Sequence, residues 1–144
     1  MTQALTEAVK TIRIENAAVA GTTDVVGDTI DMQGFDSIRC IALLGTLTTT
    51  HVTTLKAASG DLANGSDAVQ ITGAVTAAAA DGDSNHLLIL DVVKPVHRYV
   101  TFTLDRGTAN AVLDGMIVEQ YNASDMPTAI DGTVTAQKII AAVD

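Results

Sequence analysis

From residue 10 to residue 121 the chain is a succession of short runs rich in Val, Ile, Leu and Thr, each broken by a cluster of Gly, Asp, Asn and Ser. Such runs fit the pleated, half-buried surface of a strand, and the clusters supply the backbone conformations that turns demand. This spacing predicts an all-β sandwich or barrel rather than alternating helices and strands. The expected strands are 10–16, 37–47, 52–59, 68–75, 86–93, 98–105 and 111–121, with GDTIDMQGFD, GDLANGSD, AADGDSN and DRGTAN among the segments between them.

Alternation assigns faces within these runs. In VHRYVTFTL, Val96, Val100, Phe102 and Leu104 fall on one side and His97, Tyr99, Thr101 and Thr103 on the other, as the two-residue period of a half-buried strand requires. HLLILDVV is apolar on both sides and reads as a central strand covered on each face. Pro95 lacks a backbone donor and marks a boundary between these two runs, which are expected to be neighbouring strands joined by a tight connection.

At 144 residues there is room for one domain, 1–144, with 1–8 and 126–144 as extended arms. QALTEAVK suits a helical turn, whereas TVTAQKIIAAVD fits a strand or a short helix equally well. The 47% hydrophobic content is swollen by alanine and only 3% is aromatic, so the core must be built from Val, Ile, Leu and Ala.

Seventeen Asp and Glu against eight Lys and Arg give a net charge of -9, whose averaged field repels nucleic acid and anionic lipid. Cys40, the single cysteine, precludes an internal disulfide and reads as a small buried apolar residue. The opening MTQALTEAVKTIRIE lacks the basic start and apolar run of a secretory signal, and no segment approaches the ~20 apolar residues of a membrane-spanning helix.

Each chemical motif meets a plainer explanation. His51, His86 and His97 are far apart and lack the paired His-x-His of a cupin-type metal site. DGDSN begins like a calcium loop, but His86 stands where glycine is needed and Val92 where a bidentate Glu is needed. NGS at Asn64 and NAS at Asn122 read as turns, not glycosylation sites. No GxSxG elbow anchors a nucleophile, and GDTIDMQG is acidic with no Lys after its glycines, the wrong sign for phosphate. No catalytic residue, metal or cofactor is expected.

Lys94, His97, Arg98 and Tyr99 form the most basic and aromatic stretch. Alternation splits it by placing His97 and Arg98 on opposite faces, so it makes a poor anion site. His97 and Tyr99 are instead the candidate residues of a protein interface, where aromatic side chains are enriched.

The order of elements carries a resemblance. DTIDMQGFDSIRCIALLGTLT, then TLKAASGDLANGSDAVQITGAV, then DGDSN, then HLLILDVVKPVHRYVTFTLDRGTANAVLDGMIVEQY, resembles the head-decoration, or capsid cement, proteins of tailed phages and prophages. The similarity spans about residues 24–122. It rests on Gly34, Phe35 and Asp36 before a strand, on the junction of Lys94 and Pro95 with Arg98 and Tyr99, and on a closing strand ending in Tyr121.

That resemblance implies a jelly-roll or related Greek-key sandwich without an active site. It would bind the major capsid protein on the outside of an expanded shell, as a dimer or trimer whose chain ends reach over neighbouring subunits. The implied location is the outer capsid surface of the virion, after synthesis in the bacterial cytoplasm, with no nucleic-acid or membrane partner. The runner-up is a carbohydrate- or receptor-binding β-module of a phage tail or host surface, disfavoured by having only Phe35, Tyr99, Phe102 and Tyr121 as aromatic platforms.

Overall fold

A computed structural model describes residues 3–141, which form two antiparallel β-sheets packed face to face. The one-turn helix α1 (Leu5–Ala8) leads into β1 (Lys10–Glu15), β2 (Ala18–Gly21), β3 (Val25–Val26) and β4 (Ile30–Asp31). The longer strands follow: β5 (Phe35–Leu47), β6 (Val52–Gly60), β7 (Val69–Val75), β8 (Leu87–Val93), β9 (Tyr99–Gly107) and β10 (Ala111–Ala123).

One sheet runs β1-β10-β5-β8 with β2 also on β10; the other runs β3-β9-β6-β7 with β4 also on β9. If β1 with β2 and β3 with β4 count as two interrupted strands, the chain crosses between the sheets at almost every step. Only β6 and β7 are consecutive within one sheet, and the result is the two interlocked Greek keys of a jelly roll. All seven expected strands are present with ends within two residues of their expected positions.

The core lies between the sheets and follows the expected alternation. Ile38, Cys40, Ala42 and Leu44 of β5 and Met116 and Val118 of β10 face Leu55 and Ala57 of β6 and Val100, Phe102 and Leu104 of β9, all buried. Cys40 is free and enclosed, and burial pushes its thiol up to about 12, so it stays protonated and inert. Two buried polar side chains link the layers. Gln120 donates to the Asp31 carbonyl oxygen at 2.9 Å, while the Arg106 guanidinium donates to the carbonyl oxygens of Val19, Thr23 and Ala111.

Three expectations around β8 are corrected. HLLILDVV forms β8, the last strand of its sheet, with Leu87, Ile89 and Val93 exposed on its outer face, so it is an edge strand and not a covered central one. Its apolar character on both faces reflects the core on one side and an uncovered surface on the other. Nor are β8 and β9 neighbours: residues 94–98 carry the chain from one sheet to the other. Val96 belongs to that connection, not to the core face of a strand, and is 92% exposed.

QALTEAVK supplies α1 as expected, whereas TVTAQKIIAAVD is neither strand nor helix up to residue 141. The outermost positions of the two expected arms, 1–2 and 142–144, lie outside the described residues. Residues 128–133 run beside the start of the chain. Thr128 donates from its amide to the Glu7 carbonyl oxygen and from its hydroxyl to that of Val9, both at 2.9 Å, and the Arg13 amide donates to Thr133 Oγ1.

Candidate functional site

The expected interface residues lie at one corner of the sandwich, where the chain leaves β8 and enters β9. Lys94 adopts a left-handed backbone (φ 52°), Pro95 withholds a donor, and the pair ends β8. Tyr99 begins β9 opposite Gly60 of β6 on one side and Asp31 of β4 on the other, which fixes its half-buried ring at the rim of the outer face.

His97 and Arg98 lie in the connection before β9, outside the strand whose alternation was expected to separate them, and they turn to different acidic partners. Arg98 grips Asp31 through two hydrogen bonds of 2.8 Å and reaches Gln33 Oε1 at 2.6 Å. Its guanidinium carbon also lies 5.2 Å from the centroid of the Tyr99 ring, a cation–π arrangement that restrains the aromatic side chain. His97 Nδ1 shares a hydrogen bond of 3.0 Å with Asp61 Oδ1. Lys94 has no ion-pair partner among the described residues.

Beside His97 opens a cleft of about 530 Å³, walled by Val69 and Ile71 of β7, Ser59 and Gly60 of β6, and Val96. Asp67 lies at its margin. Its carboxylate accepts the amides of Asp61 and Leu62 at 2.9 and 3.1 Å, which closes the β6–β7 turn. A Cβ on Gly60 would stand 2.3 Å from Asp67 Oδ1, so a side chain there would displace the carboxylate that closes the turn.

The carboxylates here respond to acid in a defined direction. The Arg98 hydrogen bonds hold Asp31 below the ordinary carboxylate range, the amides of Asp61 and Leu62 do the same for Asp67, and Lys56 does so for Asp105 on the same sheet. A folded-state value below the unfolded one contributes stability above the unfolded value of ~3.9, and that contribution is lost as pH falls through the folded value. The melting temperature should therefore hold nearly level down to about pH 4 and decline below it, with a shallower decline in Asp31→Asn. Solvent screening keeps the effect of each exposed group small. A thermal-melt series from pH 7 to about pH 2 checks both the direction and the Asp31 share.

The other histidines are occupied elsewhere. His51 is buried against Thr53 Oγ1 at 2.9 Å and the Ala80 carbonyl oxygen at 3.2 Å, and His86 lies 3.2 Å from Asp83 in the turn before β8. The DGDSN turn spends its oxygens on the chain itself: Asp81 accepts the Thr50 amide, Asp83 that of Ala80, and Ser84 that of Leu47. No group of three or more His, Cys, Asp or Glu suited to a metal occurs among the described residues.

The corner therefore offers an apolar surface on a fixed backbone, with Tyr99 beside it and carboxylates around it. It can hold a complementary surface of another molecule. The structure brings His97 and Tyr99 to one corner, with His97 at the cleft and Tyr99 on the rim. Sequence reasoning missed Val96 and Val69, and it missed the acidic residues Asp31, Asp61 and Asp67 contributed by distant turns. A valine directly after Pro95 was the one local sign of an exposed apolar residue. Neither a family model nor a curated protein nor a solved structure matches this chain.

Proposed function

We propose that this protein is a structural one that binds the outer surface of an expanded tailed-phage capsid and stabilises it by bridging capsid subunits. The observation that carries the reading is the exposed apolar corner formed by Val96, Val69 and the cleft at His97. Strand register, the Arg98–Asp31 pair and the Asp67 turn already hold that corner in place, so docking would cost little conformational freedom. The jelly roll itself serves many functions and does not decide among them.

Two further features support the proposal. After β10, residues 124–141 form no regular element and present Ile139 and Ile140 to solvent, which suits an arm laid over a neighbouring subunit. The net charge of -9 favours a position outside the shell, away from packaged DNA. Binding only to the assembled, expanded shell stabilises that state by mass action and needs no bond-making chemistry.

In a capsid-binding assay, Tyr99→Ala should weaken binding by roughly tenfold or more, as expected for an aromatic anchor, while Thr103→Ala on the same face of β9 stays close to wild type. Equal and negligible effects would remove Tyr99 from the interface. Glycan binding that disappears in Tyr99→Ala or Tyr121→Ala would instead favour the carbohydrate-binding module.

A further inference from the structure

The two sheets have four edges, and three of them are protected against pairing with another chain. β1 has a register break between Arg13 and Glu15 and is flanked by Thr133, which takes the Arg13 amide. The opposite sheet ends on one side in the two-residue strands β3 and β4. On its other side β7 is irregular, with a register break against β6 and Gly73 at φ 78°. Short strands, bulges and covering segments are the usual means of blunting an edge.

β8 has none of these. Its seven residues LLILDVV contain no Gly, Pro or Lys, and they pair with β5 without a register break from Leu43↔Leu87 to Ser37↔Val93. The Leu44 amide donates to the His86 carbonyl oxygen, which sets the phase of that ladder. His86, Leu88, Leu90 and Val92 therefore turn their backbone groups toward β5, and Leu87, Ile89, Asp91 and Val93 turn theirs outward. Among the described residues no backbone hydrogen bond reaches those four on the outer side.

The outer face continues this uncovered surface. Leu87, Ile89 and Val93 are exposed and stand beside Leu43 and Ile41 of β5, with Ile117 of β10 next in line. The one charge on the edge, Asp91, is engaged by the Tyr121 hydroxyl and lies opposite Arg39, itself bound to Glu119.

We propose that β8 is a homodimer edge, pairing antiparallel with β8 of a second copy about a two-fold axis through Leu90 to make one continuous sheet across the dimer. This register uses the whole strand. Leu87 faces Val93 of the second copy, Leu88 faces Val92, and Ile89 faces Asp91, so every outward amide and carbonyl finds a partner. It also brings Lys94, which has no carboxylate partner among the described residues of its own chain, opposite His86 of the second copy and within reach of Asp83 bound to that histidine. The complementarity is with the chain itself, as a two-fold interface requires, which singles out a second copy over an unrelated strand. The pairing depends on β8 alone and stands or falls separately from capsid binding.

Sedimentation equilibrium of the full chain tests the proposal. Wild type should show a concentration-dependent dimer. Ile89→Asp, which sets a carboxylate directly opposite Asp91 of the second copy without entering the core, should raise the dissociation constant by about a hundredfold or more. Val19→Lys, on exposed β2, should leave the dimer intact. Under mild oxidation Leu90→Cys in a Cys40→Ala background should form a disulfide-linked dimer, since the two copies of residue 90 face each other across the axis; Cys40 is replaced because it pairs with residue 90 across β5 and β8 and would compete within the chain. A wild-type chain that remains monomeric up to roughly 1 mM overturns the proposal, as does a dimer indifferent to Ile89→Asp or a Cys40→Ala, Leu90→Cys protein that does not cross-link.

Discussion

Replacing Arg106 with methionine should destabilise the protein by about 3–5 kcal/mol, far beyond what a typical point substitution costs. Arg106 is only 6% exposed, and its guanidinium donates to the carbonyl oxygens of Thr23 and Ala111 at 2.7 Å and of Val19 at 2.8 Å. These three acceptors come from β2, the segment after it and the first residue of β10. Methionine fills comparable space but leaves three carbonyl groups without their donor, and hydrogen bonds to a charged group contribute about 1.5–3 kcal/mol each before partial compensation by water. Lysine keeps the charge but not the planar fork that reaches three separate oxygens, so Arg106→Lys should recover only part of the loss. Gly21 belongs to the same arrangement, because a Cβ there would lie 3.0 Å from Arg106 Nη2. Urea unfolding at neutral pH measures the difference; a cost below about 1 kcal/mol would mean that water replaces the guanidinium.

Phe102→Ala should also cost about 3–5 kcal/mol. Phe102 is fully buried and is the one aromatic residue of the closed core, Phe35 being only partly buried at its margin. It belongs to β9, which is held by β6 on one side and by β3 and β4 on the other. Continuous ladders resist the inward movement that would fill the gap, so the cavity term adds to the lost transfer energy. Phe35→Ala should cost clearly less, because part of its ring already meets water. Chemical denaturation of the two variants compares them directly; equal losses would mean that the sheets close over the Phe102 gap.

Much of the fold could be read from period and punctuation. The alternation of Val100, Phe102 and Leu104 with Tyr99, Thr101 and Thr103 placed β9 correctly, and Pro95 marked its boundary. The two-residue strands β3 and β4 were not legible, because two residues carry no period and β9 alone secures them. The misplacement of β8 has a different cause. An apolar residue facing the core and one facing an uncovered surface look alike in a sequence, so LLILDVV read as enclosed when one face is open.

The corner was legible in part. His97 and Tyr99 were singled out by composition, but Val96 was assigned to the core on a period that begins only at Tyr99. Asp31, Asp61 and Asp67 lie 67, 36 and 30 positions from the basic residues that they face or flank, Arg98 for the first and His97 for the others, and no local pattern announces them. Jelly-roll topology brings them together by returning β4 and the β6–β7 turn to the start of β9.

Co-sedimentation of the purified protein with matching undecorated capsids, before and after shell expansion, tests the proposed role most directly, with bound copies per particle counted. Saturable binding to the expanded shell alone, at a copy number compatible with its symmetry, is the result expected of a protein that bridges capsid subunits. Absence of binding to both forms would contradict that role.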